Sequence, residues 1–222
     1  MRFMRTCGDF IREMRRDFLH TGALLPSSPF LGRAMAVHLR ERRRPARILE
    51  VGPGTGAITA EVIRRLQPGD QLDVVEINPR FVALLRRRLA TDKRFLRHEH
   101  QVRVIHAPVQ EVVGHEVYDF ILSSLPLNNF PPAIVREVFE VFQRLLVPGG
   151  TLSFYEYVFV RHLKSPFVER RERERLQHVG WILGSYVRRF QFDRERIYVN
   201  VPPAVVRHLR LKPARIRGGA HR

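Results

Sequence analysis

Three glycines at alternate positions form the strongest chemical signal in this chain. Gly52, Gly54 and Gly56 follow a short apolar segment, residues 48–51, and precede a segment with helical periodicity, residues 57–66. Glycine lets the backbone turn tightly and lets a ligand lie against it without a Cβ in the way. A helix that begins at such a turn offers backbone N–H groups to anionic ligand atoms. The pattern therefore predicts a strand, a ligand-binding turn and a helix.

A carboxylate reinforces this prediction. Glu76 ends the next apolar segment, residues 72–76, about twenty residues after the last glycine, where an acid can bind both hydroxyls of a ribose. Dinucleotide-binding turns prefer G-x-G-x-x-G, whereas this chain has G-x-G-x-G with Glu50 at the end of the first strand. A structural glycine turn with a surface glutamate is the alternative interpretation.

Strands and helices continue to alternate beyond this point. Further predicted elements are helices at 79–90, 132–146 and 169–177, strands at 102–105, 118–122 and 151–158, and two antiparallel strands near 181–192 and 197–201. Strands that alternate with helices form parallel sheets with right-handed crossovers. We therefore expect an α/β fold, a Rossmann-like seven-stranded mostly parallel sheet with flanking helices and an N-terminal helical cap.

The predicted cap occupies residues 1–45. Residues 1–20 repeat apolar side chains at helical spacing with arginines between them, as in a basic amphipathic helix. Such a helix either lies in a membrane interface or packs its apolar face on the domain. After a loop, Ser27 or Ser28 is expected to cap a second helix that runs to about Arg43. The ligand-binding domain is predicted at 46–204, and a basic tail at 205–222.

Positive charge is concentrated at the two ends of the chain. The net charge is +17, of which residues 1–46 and residues 205–222 carry +6 each. Basic ends of this kind bind a polyanion, either nucleic acid or an anionic membrane surface. A genome that favours arginine codons is the alternative explanation.

Composition excludes several classes of protein. With 44% hydrophobic and 27% charged residues, the chain of 222 residues is globular. Its one cysteine, Cys7, excludes a disulfide framework and a thiolate metal cluster, and suits a reducing cytosol. The ten histidines show no metal-ligand spacing. No apolar run approaches the roughly 18 residues of a membrane span, and the N-terminus lacks the apolar core of a signal peptide.

Glu50 and the glycine turn together resemble motif I of class I S-adenosylmethionine-dependent methyltransferases, E/D-x-G-x-G-x-G. The resemblance extends over about residues 46–201, through Glu76 and the segment L-V-P-G-G-T-L at 146–152. It implies S-adenosylmethionine as cofactor without a metal, with Glu50 near the methionine part and Glu76 on the ribose. The cofactor-binding residues that it implies are Glu50, Gly52, Gly54, Thr55, Gly56, Glu76, Ile77, Ala107, Pro108, Val109, Ser123, Thr21 and Gly22.

The chain departs from that family at one position. Where an acid or another polar group usually binds the adenine amine, the segment after the predicted third strand has Ala107. Backbone groups of residues 107–109, or the side chain of Gln110, are the alternatives for holding adenine.

Three further segments resemble the bacterial phospholipid N-methyltransferases, which convert phosphatidylethanolamine to phosphatidylcholine. They are T-G-A-L-L-P-S-S at 21–28, S-L-P-L-N-N-F-P at 124–131 and N-V-P-P-A at 200–204. The resemblance implies a cytoplasmic enzyme bound to the inner face of the cell membrane, with an anionic membrane surface and a phospholipid as partners. A related group methylates ornithine lipids, and the sequence does not separate the two.

Methylation of an amine requires residues that bind the amine and keep it in its neutral form. A primary amine with a pKa near 10 is mostly protonated at neutral pH, so desolvation or a proton acceptor must favour the neutral form. Tyr155, Glu156 and Tyr157 end the predicted fifth strand, and tyrosine faces can also surround methylated ammonium groups. Asn128 can bind the amine or the lipid phosphate. Plain strand packing and turn formation are the alternatives for these residues.

RNA methylation is the alternative function. Ribosomal RNA adenine dimethyltransferases carry N-L-P-Y after strand four, where the Asn accepts from the flipped amine and the aromatic ring stacks on the base. This chain has Ser124 and Leu127 at those places, and leucine offers no face for base stacking. Nucleic acid is therefore the less favoured partner.

Overall fold

The computed structural model describes residues 28–40, 42–158, 170–200 and 202–212. The predicted amphipathic helix at 1–20, the residues Thr21, Gly22 and Ser27, and the end of the basic tail lie outside the described residues. Among these ranges, none of the helices combines the length and the hydropathy that crossing a bilayer requires.

Within the described residues, seven strands form one sheet, as the sequence predicts. They are β1 (Arg47–Val51), β2 (Gln71–Glu76), β3 (Val102–His106), β4 (Tyr118–Ser123), β5 (Leu146–Tyr157), β6 (Gln191–Ile197) and β7 (Ala204–Leu209), in the order β3-β2-β1-β4-β5-β7-β6. Strands β1 to β5 pair in parallel, and β7 lies antiparallel between β5 and β6. The direction of winding reverses between β1 and β4, and ligands of such sheets bind outside the carboxyl ends at that reversal.

Helices cover both faces of the sheet. They are α1 (Pro29–Met35), α2 (Ala57–Ile63), α3 (Pro79–Thr91), α4 (Lys93–Leu96), α5 (Pro132–Leu145) and α6 (Arg170–Phe190), with 3-10 turns at Val37–Arg40, Glu99–Gln101, Val109–Glu111 and Leu127–Asn129. Alternate strand residues face opposite ways, so the sheet has two apolar layers. One packs against α5 and α6, and the other packs against α1, α2 and α3.

Local capping explains where two helices begin. The Ser28 hydroxyl accepts a hydrogen bond from Leu31 N at 3.2 Å, which confirms Ser28 as the cap of α1. Asn78 caps α3 through Arg80 N at 3.0 Å, with Pro79 at the first helical position, as predicted. Helix α1 is shorter than expected, because it ends at Met35 and continues only as the 3-10 turn Val37–Arg40.

The C-terminal prediction misplaces both of its strands. Residues 181–190 were expected in a strand because they are rich in aromatic and β-branched side chains, but they continue α6 to Phe190. The buried side chains Val179, Ile182 and Leu183, together with Tyr186, recur at helical spacing against α5. The two antiparallel strands follow at Gln191–Ile197 and Ala204–Leu209, and residues 198–200, predicted as part of the last strand, lie in the turn between them. Strand β7 therefore extends beyond the domain end predicted at residue 204.

Candidate active site

The three glycines of the turn after β1 serve two different purposes. All three have a left-handed backbone, with φ of 69° at Gly52, 55° at Gly54 and 80° at Gly56. A Cβ would lie 3.0 Å from Leu125 at Gly52 and 2.8 Å from Leu85 at Gly56, whereas at Gly54 it would meet nothing within 4 Å. The outer glycines therefore allow close packing, and the central glycine borders open space that a ligand can enter.

Glu76 holds the glycine turn in place from the end of β2. Its Oε2 accepts a hydrogen bond from Gly54 N at 3.1 Å, and its Oε1 accepts one from Asn78 N at 2.8 Å. Burial raises the pKa of Glu76, and the backbone N–H groups around it oppose that rise. Each carboxylate oxygen has two lone pairs, so both can accept a further hydrogen bond from a ribose hydroxyl.

Glu50, at the end region of β1, is a buried carboxyl group. The residue has no exposed surface, and neither oxygen accepts a hydrogen bond of normal geometry from a described residue. Burial raises the pKa of Glu50 from 4.5 to about 8, the nearby Glu76 carboxylate adds to the rise, and Thr59 offsets part of it. A cationic ligand group beside Glu50 would favour its ionised form.

Other buried polar atoms lie where β1 and β4 meet the turn. Among the described residues, the hydroxyls of Ser123 and Ser124 also have no hydrogen-bond partner. Ser123 pairs with Val51 in the register of the sheet, and Ser124 N donates to Val51 O at 2.8 Å. Because a buried polar group without a partner is unfavourable, this set fits a polar ligand at the reversal point of the sheet.

An apolar cavity extends from the turn toward β3. It encloses about 80 Å³, less than the roughly 300–1,000 Å³ of whole small-molecule sites, so it can hold only part of a ligand. It brings together six of the predicted cofactor residues: Gly52, Glu76, Ile77, Ala107, Pro108 and Val109. Ala107 N donates to Glu76 O at 3.2 Å, so this N–H group is already engaged by the sheet and Gln110 is the side-chain amide at the cavity.

The far wall of the cavity was missed from the sequence. Leu125, Phe130, Ile134 and Val138 line it from the loop after β4 and from α5. The spacing of Ile134 and Val138, one helical turn apart, was the signal available, but it does not tell a ligand wall from ordinary core packing. These side chains give the cavity the apolar surface on which an adenine ring can lie.

Arg88 is a second residue that the sequence did not reveal. It reaches from α3 to the glycine turn and donates to Thr55 O at 2.8 Å and to Gly56 O at 3.2 Å. Its guanidinium lies 4.3 Å from the centre of the Phe95 ring, which fixes its orientation. Thr55 therefore contributes its backbone carbonyl to a support that holds the turn from outside.

On the substrate side, β5 separates the predicted residues onto two faces. Tyr155 and Tyr157 face the α1 layer, and their rings contact edge to face with centroids 5.4 Å apart. Burial raises the pKa of Tyr157, so this phenol stays neutral. Glu156 points the other way, where its Oε2 accepts a hydrogen bond from Arg207 Nε at 2.7 Å. The structure therefore brings together the two tyrosines and leaves Glu156 in an ion pair with β7.

Helix α6 fixes the loop after β4, which contains Asn128. Arg175 donates from one guanidinium nitrogen to the backbone oxygens of Asn128 and Phe130, both at 2.8 Å. The same guanidinium pairs with Glu172, which holds it in position. Arg175 is thus a further residue that sequence reasoning missed, since 47 positions separate it from Asn128.

Comparison with known proteins agrees with this geometry. A family model described as a methyltransferase domain matches residues 49–152. The ornithine lipid N-methyltransferase of Singulisphaera acidiphila is 30% identical over 202 residues, which span 88% of this chain and 93% of that protein. Ribosomal RNA small subunit methyltransferase A of Gloeobacter violaceus is 31% identical over 119 residues, but these span 49% of this chain and 42% of that protein.

Solved structures share the fold. An O-methyltransferase from Bacillus cereus in complex with S-adenosylhomocysteine superposes with a TM-score of 0.64 at 16% identity, covering 90% of this chain and 89% of that one. The O-methyltransferase TomG from Streptomyces achromogenes, in complex with S-adenosylmethionine, gives 0.63 at 19% identity, covering 88% and 85%.

Proposed function

Because the chain belongs to the class I S-adenosylmethionine-dependent methyltransferases, we propose that it methylates the amine of a membrane lipid headgroup. The observation that carries this proposal is the extent of one similarity. The match to the ornithine lipid N-methyltransferase covers 93% of that protein, including the regions outside the cofactor-binding core. That relative favours an ornithine lipid as the substrate, and phosphatidylethanolamine, the precursor of phosphatidylcholine, is the second headgroup to test.

The residues at the carboxyl edge of the sheet fit the cofactor. Bound S-adenosylmethionine supplies a methyl group that is already activated by its sulfonium, so the transfer itself needs no metal. The backbone at Gly54 leaves room for the cofactor, Glu76 can accept from its ribose, and Glu50 can pair with its ammonium group. Fixing donor and acceptor in one geometry is worth several kcal/mol of the barrier.

The two tyrosines of β5 supply the environment of the amine. Glu156 is held by Arg207, and an ion-paired carboxylate is a weak proton acceptor. Tyr155 and Tyr157 are half-buried, so an amine placed beside them loses water and its pKa falls toward neutrality. Their ring faces also attract the methylated ammonium products, which retain a positive charge. We therefore assign amine desolvation to Tyr155 and Tyr157, and a positioning contact to Asn128.

An apolar rim at the same edge suits a lipid substrate. Phe30, Val158, Tyr198 and Val199 are exposed large hydrophobic residues. Val158 N donates to Pro203 O at 2.9 Å, and Ser28, two residues before Phe30, contacts Asn200 in the β6–β7 loop. This rim (Phe30, Val158, Tyr198 and Val199) would contact acyl chains, while the basic chain ends attract anionic headgroups. We accordingly propose peripheral binding at the inner face of the cell membrane, in the cytoplasm.

RNA methylation is the second candidate, favoured by the net charge of +17 and by partial similarity to ribosomal RNA methyltransferases. Two observations weigh against it. The match spans 42% of the ribosomal RNA enzyme, and Leu127 is 4% exposed in the apolar core, where it cannot stack on a base.

A methyl-transfer assay separates the two candidates. Purified protein with radiolabelled S-adenosylmethionine is given vesicles containing ornithine lipid, vesicles containing phosphatidylethanolamine, or ribosomal RNA. We expect label in an aminolipid fraction, a loss of at least tenfold in Tyr157→Ala, and partial activity in Tyr157→Phe, which keeps the ring face. Label in RNA with none in either lipid would overturn the proposal.

Vesicle flotation tests the proposed rim. Tyr198→Ser with Val199→Ser should weaken binding to anionic vesicles severalfold, because two exposed apolar side chains are removed. The matched control is Val113→Ser, which removes an apolar side chain that is 90% exposed near the amino end of β4. Equal vesicle binding by the two variants would contradict the proposed contact between the rim and the membrane.

A further inference from the structure

Outside the active site, three metal-binding side chains converge on the α1 side of the sheet. His38 comes from the 3-10 turn after α1, Asp193 from β6 and His208 from β7. One ligand atom of each residue lies within 4.8 Å of the others. His38 Nε2 lies 3.0 Å from Asp193 Oδ2, and the two imidazole rings contact edge to face with centroids 4.5 Å apart. We call these three residues the histidine–aspartate cluster.

A hydrogen bond behind the cluster orients one imidazole. His208 is fully buried, and its Nδ1 lies 2.8 Å from the Ser153 hydroxyl on β5. With the proton on Nδ1 donated to Ser153, the lone pair of the imidazole is on Nε2. Histidines that bind metals commonly have their second nitrogen fixed by a hydrogen bond of this kind. Ser153 therefore orients the His208 ring and can accept the Nδ1 proton of the tautomer that binds a metal through Nε2.

The size and surroundings of the histidine–aspartate cluster also suit a metal ion. Ligand atoms around tetrahedral Zn²⁺ are about 3.3 Å apart, given bonds of roughly 2.0–2.1 Å, so small side-chain rotations close the present spacing. The Asp193 side chain is 48% exposed, which leaves a solvent side for a water ligand. The Phe192 ring packs on His38 with centroids 5.0 Å apart, and the Arg210 guanidinium stacks on that ring. The Phe192 ring thus lies between the Arg210 guanidinium and His38 of the histidine–aspartate cluster.

We propose that His38, Asp193 and His208 bind a divalent transition-metal ion, with Zn²⁺ as the preferred metal, and that the ion fastens the cap to the β6–β7 hairpin. Two imidazoles and one carboxylate are a ligand set that Zn²⁺ commonly uses in proteins. On the same face of β5, Tyr155 is two residues and Tyr157 four residues from Ser153, about 7 Å and 13 Å at the rise of a strand. At the other end of α1, Ser28 N donates to Asn200 Oδ1 at 3.3 Å, and the metal adds a second fastening point. The proposal does not rest on the methyl acceptor.

Metal titration of the full chain tests the proposal. The protein is expressed without a histidine tag, treated with a chelator and titrated with Zn²⁺ by calorimetry, and with Co²⁺ by visible absorption, which reports coordination geometry. We expect one Zn²⁺ per chain and a rise in Tm of about 5–10 °C at a hundredfold excess over Kd. His38→Gln and Asp193→Asn should each weaken binding at least tenfold.

Matched variants separate metal binding from folding. His115→Gln removes an exposed histidine outside the histidine–aspartate cluster and should bind Zn²⁺ as the unmodified chain does. Asp193→Asn replaces a half-exposed side chain, and its unchanged affinity for S-adenosylmethionine would verify that it folds. No Zn²⁺ binding by the unmodified chain, or equal binding by Asp193→Asn, His38→Gln and His115→Gln, would overturn the proposal.

Discussion

The two edges of the sheet bury carboxyl groups in opposite ways. At the amino edge, Asp70 is fully buried and accepts hydrogen bonds from Ala46 N at 2.8 Å and Gln67 N at 2.6 Å, besides its ion pair with Arg42. At the carboxyl edge, Glu50 is equally buried, but no described residue gives it a hydrogen bond of normal geometry.

This difference separates two uses of a buried acid. An acid whose donors belong to the chain stabilises the fold, because its desolvation is offset by fixed hydrogen bonds. An acid left without donors destabilises the fold until a ligand provides them, so its presence marks a binding site. The pKa of Glu50, raised by burial to about 8, is consistent with the second use.

Removing the amino-edge acid should produce the largest loss of stability. In Asp70→Ala the backbone donors of Ala46 and Gln67 lose their acceptor, and Arg42, whose side chain is 4% exposed, becomes an unpaired buried charge. We expect the free energy of unfolding to fall by about 3–5 kcal/mol, measured by urea denaturation. An unchanged denaturation midpoint would refute the structural role of Asp70.

Filling the space at Gly54 should affect the ligand more than the fold. In Gly54→Val, a branched side chain would occupy the open space that we propose for the cofactor, and cofactor affinity should fall at least a hundredfold in calorimetry. The left-handed backbone costs about 1–2 kcal/mol of stability as well. The matched control is Gly69→Val, also left-handed with φ +85° but at the amino edge, which should lose stability and retain cofactor affinity. Equal affinities in the two variants would contradict the assignment.

Glu50→Gln should stabilise the cofactor-free protein, whereas removing a paired buried charge usually destabilises a fold. The pKa of Glu50 is raised from 4.5 to about 8, so the cofactor-free protein should lose stability as pH rises from about 4.5 to 8. Glu50→Gln removes this dependence and should be the more stable protein at pH 8, with about tenfold weaker cofactor binding. Thermal unfolding across this pH range measures the first effect, and calorimetry the second. If the unmodified chain and Glu50→Gln have the same dependence of Tm on pH, Glu50 does not cause the loss of stability.

The smallest effect on stability is expected for an exposed ion pair at the amino edge of the sheet. Arg44 pairs with Asp119 at 2.7 Å, but the Arg44 side chain is 74% exposed, and Asp119 also accepts from Arg47 N. Arg44→Ala should change the free energy of unfolding by less than about 0.5 kcal/mol in the same urea experiment. If Arg44→Ala lost as much stability as Asp70→Ala, burial would not explain why one ion pair stabilises the fold more than the other.

Much of the cofactor edge could be predicted because its signals are local. The turn at 52–56 requires glycine for its left-handed backbone, and Glu76 ends the strand that follows it. Six predicted residues line one cavity, and the caps Ser28 and Asn78 begin the helices expected of them. Thr21 and Gly22 lie outside the described residues, and their assignment stays a prediction.

Composition misled the prediction where two local preferences conflicted. The segment through Trp181 and Phe190 is rich in residues that favour strands, yet it forms the second half of α6. Its apolar spacing meets the α5 face, where Phe139 stacks on Tyr186 with ring centroids 4.3 Å apart. Packing against a partner helix therefore outweighed intrinsic β propensity.

Local sequence was enough to predict the α/β class, the glycine turn and the acid opposite it, because each depends on residues close together in the chain. The fold was needed to show that Glu156 pairs with Arg207 and that Arg175 holds the loop after β4. The fold also brings the histidine–aspartate cluster together across the 155 positions between His38 and Asp193. Strand register and helix packing set such contacts, and neither leaves a periodic trace in the sequence.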